Sequence, residues 1–353
     1  MATGYVTNQT TVYYGPGSTN YPSSGSYVGP NESVEIMWRE GSWFYIEYQA
    51  GSYRKRMYIL ASAVSNVTGS YSFYSPTRST RYVGRGASTY NGPSSATYAT
   101  AGSVGNYEQV TLFTEKIENE YALIEYDVSG GQKKRAWFPF GNLGVAKGLD
   151  TGAAISSQSM AYAIRDAGYS FVGRYYRPDV NNGLSQTELN YLHNAGLSVF
   201  PYYQYKNNSA EFFTYAEGVS AANSAYAKAL SLGQPSGTNI YFAVDFDATP
   251  SQVSGCVTSY FNGVVSRMEE LGDINGRVYN VGVYGGTRVC EGLTVSDVTS
   301  RTLACAWNYN PSYYGWTNFQ YASQGGGTYE TIISGVQFDV VISKSPHGGG
   351  WTP

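Results

Sequence analysis

Charge is scarce in this chain of 353 residues: Asp, Glu, Lys and Arg make up 13%, about half the usual share of roughly 25%. The formal net charge is −3, which argues against nucleic acid as a partner, since its binders carry a basic footprint. Cysteine is scarce too. Cys256, Cys290 and Cys305 form no CxxC and leave at least one thiol unpaired, so a disulfide scaffold is excluded. Two histidines, His193 and His347, are too few for a His-based metal centre, and neither a metal nor any other cofactor is expected. No stretch of 18 apolar residues occurs, so no membrane span is predicted. The start, Met1-Ala2-Thr3-Gly4-Tyr5, lacks the basic and apolar regions of a signal peptide, which leaves a trimmed chain or another export route.

Tyrosine and glycine fill the gap, with 36 and 42 copies, and hydrophobic residues reach 42%. That much aromatic surface supports folded cores rather than disorder. The composition suits an exported or surface-working protein that binds polar, uncharged ligands.

The first 146 residues contain a repeat. Gly15-Pro16 answers Gly92-Pro93, Ile46-Glu47-Tyr48 answers Ile124-Glu125-Tyr126, and Arg54-Lys55-Arg56 answers Lys133-Lys134-Arg135. The near-constant offset marks a duplicated module. Short alternating runs such as Trp43-Phe44-Tyr45-Ile46-Glu47-Tyr48, punctuated by Gly, Pro, Ser and Asn, predict about five strands per copy and no helix. The polar stretch Ser65 to Thr80 reads as a linker, and the basic triplets read as solvated hairpins or contacts for anionic polymers. The copies, residues 1–66 and 67–146, resemble bacterial SH3-type domains. That resemblance implies small β-barrels that tether an enzyme to cell-wall polymers.

Near Lys147 the pattern changes to apolar strands alternating with helical stretches. Strands are predicted at 148–150, 171–175, 197–203, 240–245, 279–284, 303–307, 318–321 and 336–342. Helices fit 157–167, 185–195, 210–232 and 250–271. Eight strands with helices between the first five predict a TIM-like α/β barrel, a (β/α) barrel over 147–353, irregular in its last three units. The Gly-rich tail from Pro346 to Pro353, with His347, reads as disordered. Residues 1–146 hold 11 basic and 10 acidic side chains and the rest 11 and 15, so the acidity lies in the barrel.

In such a barrel the site lies at the C-terminal strand ends. Asp150, Asp245, Asp247 and Asp339 all map there. Asp245 and Asp247, two apart on the fourth strand, point the same way with Cα atoms about 7 Å apart. Mutual repulsion would then keep one carboxyl protonated, the condition for a general acid. Paired acids are the equipment of glycoside hydrolysis. Arg174, Tyr175, Tyr203, Gln204, Tyr284, Trp307 and Gln320 are the candidate sugar-binding residues, because rings stack on sugar C–H faces while amides and phenols bond hydroxyls. Cys305 reads as a small core residue. Gly285-Gly286 and Gly325-Gly326-Gly327 read as loop turns rather than phosphate cradles.

The ordered motifs GLD (148–150), VGRYYR (172–177), VFPYYQ (199–204), IYFAVDFDA (240–248), VGVYGG (281–286), ACAWNY (304–309), FQYAS (319–323) and VQFDVV (336–341) resemble the glycoside-hydrolase-like barrels related to the family 25 lysozymes, or muramidases. The resemblance implies Asp247 at the proton-donor position, Asp245 in support, and Asp150 and Asp339 lining the pocket. It departs from the lysozyme pattern, because Asp247 stands where those enzymes carry a longer Glu. The function expected is that of an extracellular or wall-associated peptidoglycan hydrolase, a monomer, from a phage lysis cassette or a secreted remodeller. A non-catalytic glycan-binding surface protein and a glycosidase for another polysaccharide are the alternatives.

Overall fold

The computed structural model describes residues 1–176, 183–307, 310, 312–320 and 330–353. The chain divides into two compact units, Met1–Leu143 and Gly144–Pro353.

In the first unit the repeat becomes two sheets of identical strand order. The first copy's strands are Ala2–Val6, Thr10–Tyr13, Ser23–Val28, Ser33–Glu40, Trp43–Ala50, Tyr53–Leu60 and Val64–Thr68; the second's are Arg78–Val83, Ala87–Tyr90, Thr100–Val104, Gln109–Glu118, Tyr121–Asp127, Lys133–Pro139 and Leu143–Gly144. In both, the neighbours run third, second, sixth, fifth, fourth, first, seventh. Each copy thus has seven such strands where about five were expected. The segment taken for a linker is sheet as well: Val64–Thr68 pairs with the first strand and Ser72–Phe73 with Trp38-Arg39. Its polar composition reflects an exposed edge, not an unstructured connection.

The inner faces build two apolar cores, one around Val12, Ile36, Ile46 and Ile59, the other around Val83, Leu112, Ile124 and Phe138. A third cluster joins the copies through Trp38, Tyr45, Tyr58, Phe113, Leu123 and Trp137. Around it the duplication repeats one polar motif in both directions. Tyr21 donates to Glu125 (2.6 Å), which pairs with Arg135, and Arg135 reaches back to Glu40 (2.7 Å). Tyr98 likewise donates to Glu47 (2.6 Å), which pairs with Arg56, and Arg56 reaches Glu118 (2.8 Å). The last arginine of each basic triplet is therefore a largely buried ion-pair partner, not a solvated hairpin residue. Each pair stands in a desolvated seam where losing one partner strands a charge.

The second unit is a closed barrel of eight strands. Its elements are β1 (Ala146–Asp150), α1 (Gln158–Asp166), β2 (Phe171–Tyr176), α2 (Gln186–Asn194), β3 (Ser198–Tyr203), α3 (Tyr215–Ser231) and β4 (Asn239–Ala243). A short helix, Pro250–Gln252, then runs through a π-helical turn, Val253–Val257, into α4 (Thr258–Asn275). β5 (Asn280–Gly285), α5 (Thr287–Gly292), β6 (Val298–Ala304), β7 (Asn318–Gln320), β8 (Glu330–Ile333) and β9 (Val336–Ser343) complete it. Strands β1 to β7 are parallel neighbours in sequence order, and β9 closes the ring between β7 and β1.

β9 runs antiparallel to both neighbours, so the last unit is not merely an irregular β/α repeat. The cause is local. Ser334 and Gly335 take positive φ (51° and 80°), the two-residue geometry that turns a hairpin. That turn folds β9 back on β8, with Ile333 opposite Val336.

The barrel interior holds Phe171, Phe200, Tyr202, Tyr241 and Val341. An eight-stranded barrel leaves room for such rings only where neighbouring positions are small. At Gly148 a Cβ would lie 2.2 Å from the Phe171 ring, and at Gly282 2.4 Å from that of Tyr241. Beneath these rings the tail is ordered, contrary to its disordered reading. Trp351 pairs with Val199 in both directions (2.8 and 2.9 Å), and the Gly348 carbonyl accepts from Tyr241 and Asn318. His347 Nδ1 lies 3.1 Å from Ser198 Oγ. Glycine permits this plug because chain passes directly against strand.

Candidate active site at the barrel mouth

Strand alternation decides which side chains reach the mouth. Phe200, Tyr202, Tyr241 and Ala243 point inward, and Gln204 and Asp245, just past the ends of their strands, stay together at the mouth through their hydrogen bond; Gly282 is followed by Tyr284, and Val341 is preceded by Asp339. On β1 the last inward position is Asp150, the register partner of Asp339. Asp339 thus reaches the mouth from near the start of an antiparallel strand rather than from the end of a parallel one.

Asp150 is only 1% exposed. Burial, then the charge of Asp339, pushes its carboxyl well above the ordinary range, while the Tyr202 hydroxyl at 3.4 Å and the Arg174 charge act the other way. Asp245 is half-buried. Burial raises its pKa, and Gln204 Nε2, donating at 2.8 Å, opposes the shift. Asp339 is also raised, by burial and then by Glu330, and Gln320 Nε2 donates to it at 2.8 Å. The phenol of Tyr175 is pushed up by burial and by the charges of Asp150, Asp245 and Asp339; Tyr284 feels the same three aspartates as well as Tyr175. These three carboxyls therefore surround two phenols. Among the described residues no three His, Cys, Asp or Glu side chains sit together closely enough to hold a metal, so the acids ring a space instead of meeting at a point.

Asp247 does not join them. β4 ends at Ala243, and the Asp245 N–H turns to the Asn207 carbonyl (2.8 Å) while Ala248 N–H closes on Phe246. The alternation assumed for Asp245 and Asp247 requires strand, and the chain has already left the sheet. Asp247 is exposed and meets Arg288 at 3.2 Å.

Three of the seven sugar-binding candidates lie away from the mouth's interior as well. Arg174 points out of the barrel and is fully buried: Nε bonds Glu188 at 2.6 Å and Nη1 the Thr151 carbonyl at 2.7 Å. It cannot touch a ligand in the mouth. Tyr203 also faces outward, against Phe242 (ring centroids 5.6 Å). Trp307 lies half-buried in the turn after β6, its carbonyl 3.0 Å from where a Cβ on Gly286 would be, and so stays at the rim. Tyr175, Gln204, Tyr284 and Gln320 converge as expected. The sequence reading missed Tyr202, the neighbour of Asp150, and Asn207, whose side chain donates to Ala243 and whose carbonyl holds Asp245. The glycine run 325–327, Arg177, Tyr309 and Tyr321 lie outside the described residues. Cys256, Cys290 and Cys305 form no disulfide among the described residues.

The raised Asp150 pKa has a consequence for stability. A carboxyl whose folded pKa exceeds its unfolded value stabilises fully at low pH, and that contribution is lost as pH rises through the folded pKa. Asp150→Asn is therefore expected to melt close to the parent at acid pH and increasingly above it as pH rises beyond the ordinary carboxylate range. Thermal scans from acid to alkaline pH check this; a difference independent of pH would show that Asp150 is not held neutral.

The barrel mouth thus gathers carboxyls, phenols and amides around one space. Residues 162–337 match the family model described as the Rv2525c-like, glycoside hydrolase-like domain. A stretch of 153 residues, 41% of the chain, is 37% identical to the uncharacterized protein YbfG of Bacillus subtilis and spans 21% of that protein. The Tat-secreted protein Rv2525c of Mycobacterium tuberculosis, solved with L-tartrate, is 20% identical with a TM-score of 0.46, over 58% of this chain and 98% of that one. A family GH25 lysozyme from Aspergillus fumigatus is 14% identical with a TM-score of 0.34, over 57% and 94% of the respective chains.

Proposed function

We propose that the barrel unit is a cell-wall glycoside hydrolase that cuts a β-1,4 bond beside an N-acetylated sugar of peptidoglycan. The observation that carries this reading is the set of three desolvated aspartates around Tyr175 and Tyr284. Asp245 is the acid: half-exposed, held by Gln204, with a raised pKa, it protonates the leaving oxygen. Asp339, held by Gln320, is the opposing carboxylate, steadying positive charge at the anomeric carbon or orienting water. Asp150 stays neutral beneath them and keeps a second negative charge out of the pocket floor. The Gln320 Oε1 atom is buried without a partner and offers an acceptor to a sugar hydroxyl or acetamido N–H. The duplicated β modules serve as SH3-like wall tethers that raise local concentration on an insoluble polymer, and the working place is the cell wall or its exterior.

A second reading, glycan binding without turnover, is favoured by one observation: Asp247, at the donor position of the lysozyme-like pattern, is turned away and engaged with Arg288. Release of soluble fragments and new reducing ends from purified walls separates the two. Asp245→Asn is expected to lower release by about 10² or more while wall binding persists. Wild-type protein that releases nothing from several wall chemotypes, yet still binds them, establishes the second reading instead.

A further inference from the structure

β3 and β4 separate just below the mouth, and one side chain bridges the gap. Tyr203 lies opposite Phe242 in the parallel ladder. The next rung would set Tyr205 opposite Val244, its N–H on the Ala243 carbonyl and its own carbonyl accepting from the Asp245 N–H. β3 ends at Tyr203, and Asn207 makes both bonds instead. Its Nδ2 donates to the Ala243 carbonyl, and its main-chain carbonyl accepts from the Asp245 N–H at 2.8 Å. The remaining side-chain atom, Oδ1, accepts the Tyr205 N–H (2.8 Å) that the departing strand would have left unpaired. On the other edge of β4, the Val244 N–H stays on the Tyr284 carbonyl of β5 (2.8 Å). We propose that Asn207 is a positioning residue, whose amide stands in for the missing rung and so fixes Asp245, rather than Asp247, at the mouth. The proposal deepens the reading of Asp245 as the acid and rests on it, but its test does not need turnover.

The residue type fits the task. An aspartate at 207 would have the shape but no donor for the Ala243 carbonyl, a glutamine would be one methylene too long, and an alanine would leave two backbone groups unpaired. Asn207 is buried, so water replaces those bonds poorly and their loss is costly. Lys206 holds a left-handed backbone (φ 50°), which a lysine seldom adopts; that turn brings Asn207 back against β4. Gln204, on the same segment, donates to Asp245 Oδ2 at 2.8 Å. Asp245 is thus tied to one loop twice, by its main chain through Asn207 and by its carboxyl through Gln204, and the second tie keeps its alignment only while the first holds. Past this point the Ala248 N–H closes on the Phe246 carbonyl, and Asp247 turns to Arg288. The Tyr260 hydroxyl, from α4, meets the Asn207 side chain as well, but takes no part in the rung.

The test is NMR of the whole chain, parent and variants. In the parent, the Asp245 N–H is expected to exchange with solvent as slowly as the amides within β4, although it lies outside the strand. In Asn207→Ala that protection is lost, the Gln204 side-chain amide moves toward its free shift, and the Asp245 carboxyl, raised in the parent by burial, titrates closer to an ordinary aspartate. Asp245 shares the mouth with Gln204 from β3, Tyr175 from β2, Tyr284 from β5 and the acids Asp150 and Asp339. None of these is a cation, so a fall in its titration reports exposure and not a lost ion pair. Tyr260→Phe, which spares the rung, is expected to leave all three signals in place. Where wall fragments are released, Asn207→Ala lowers kcat by about 10² with KM nearly unchanged. An Asp245 N–H that exchanges like an open loop in the parent overturns the proposal, and that measurement stands even if Asn207→Ala does not fold. Parent-like Gln204 and Asp245 signals in folded Asn207→Ala overturn it too, as does Tyr260→Phe reproducing the changes. Absence of wall release from the parent removes hydrolysis, while exchange and titration still decide the role of Asn207.

Discussion

Glu188→Ala is expected to destabilise the barrel unit by about 3–5 kcal/mol, the cost of stranding one charge of a buried pair. At about 2–4 °C per kcal/mol for a unit of this size, melting falls by roughly 10 °C. The pair is buried on both sides, Arg174 at 0% and Glu188 at 3% exposure, so water cannot replace the lost partner. Glu188 also accepts from the Ile155 N–H at 2.7 Å, and alanine leaves that donor unpaired in the buried turn after β1. Glu188 meets the guanidinium at both Nε (2.6 Å) and Nη2 (3.2 Å), and alanine removes both contacts. The double variant Arg174→Met with Glu188→Leu should recover much of the loss, because replacing both charges removes the desolvation cost as well. Urea or thermal unfolding of the single and double variants measures this. A Glu188→Ala melting point within a degree or two of wild type would mean that the pair contributes nothing.

The same pair shows where sequence stops being informative. In Val172-Gly173-Arg174-Tyr175-Tyr176 every residue but Tyr175 is buried, because a parallel barrel covers its strands on both faces and erases the alternation that tells inside from outside. Nothing in that string says that Tyr175 looks into the mouth while Arg174 looks toward α2. The choice between Tyr202 and Tyr203 failed for the same reason. What does resolve it is Glu188 in the first turn of the next helix, an acid placed to neutralise an arginine buried outside the barrel, between sheet and helix. The copies of the β module were legible because duplication displays itself as offset identity. The number of strands in each was not, since short polar edge strands such as Val64–Thr68 lack apolar periodicity. The antiparallel β9 had a visible signal, Ser334-Gly335 between Ile333 and Val336, that hydrophobic pattern alone does not weigh.

The site follows the same division. The structure brings Asp150, Asp245, Tyr284, Gln320 and Asp339 together at the mouth. Asp247 was placed by extending a strand two residues past its end. The chain turns there because its hydrogen bonds pass from the sheet to the β3–α3 loop, with the Asp245 N–H on the Asn207 carbonyl. Such a side exchange is a long-range event, and no local propensity announces it. The acid assignments of the barrel thus depend on one backbone bond between residues 38 positions apart in the chain.

Removing residues 346–353 is expected to cost the barrel unit its cooperative melt. Trp351 is 4% exposed, and truncating a buried tryptophan to alanine alone costs about 3–5 kcal/mol. The tail also supplies hydrogen bonds that the barrel floor cannot replace from within. Asn239 N–H loses the Gly349 carbonyl (3.0 Å), Val199 loses both bonds to Trp351, and the Asn318 amide loses the Gly348 carbonyl (2.9 Å). With the plug gone, water reaches Phe171, Phe200 and Tyr241 from below. The loss is larger than any single deletion, because ring packing and backbone pairing fail together. Gly350→Ala provides a milder probe of the same contact: its Cβ would stand 1.8 Å from the Val199 carbonyl oxygen, so the plug must lift rather than adjust. Near-ultraviolet circular dichroism and dye binding to exposed apolar surface read the outcome. A truncated chain that melts cooperatively within a few degrees of the parent would show that the floor seals itself, and would leave the tail as no more than an adherent strand.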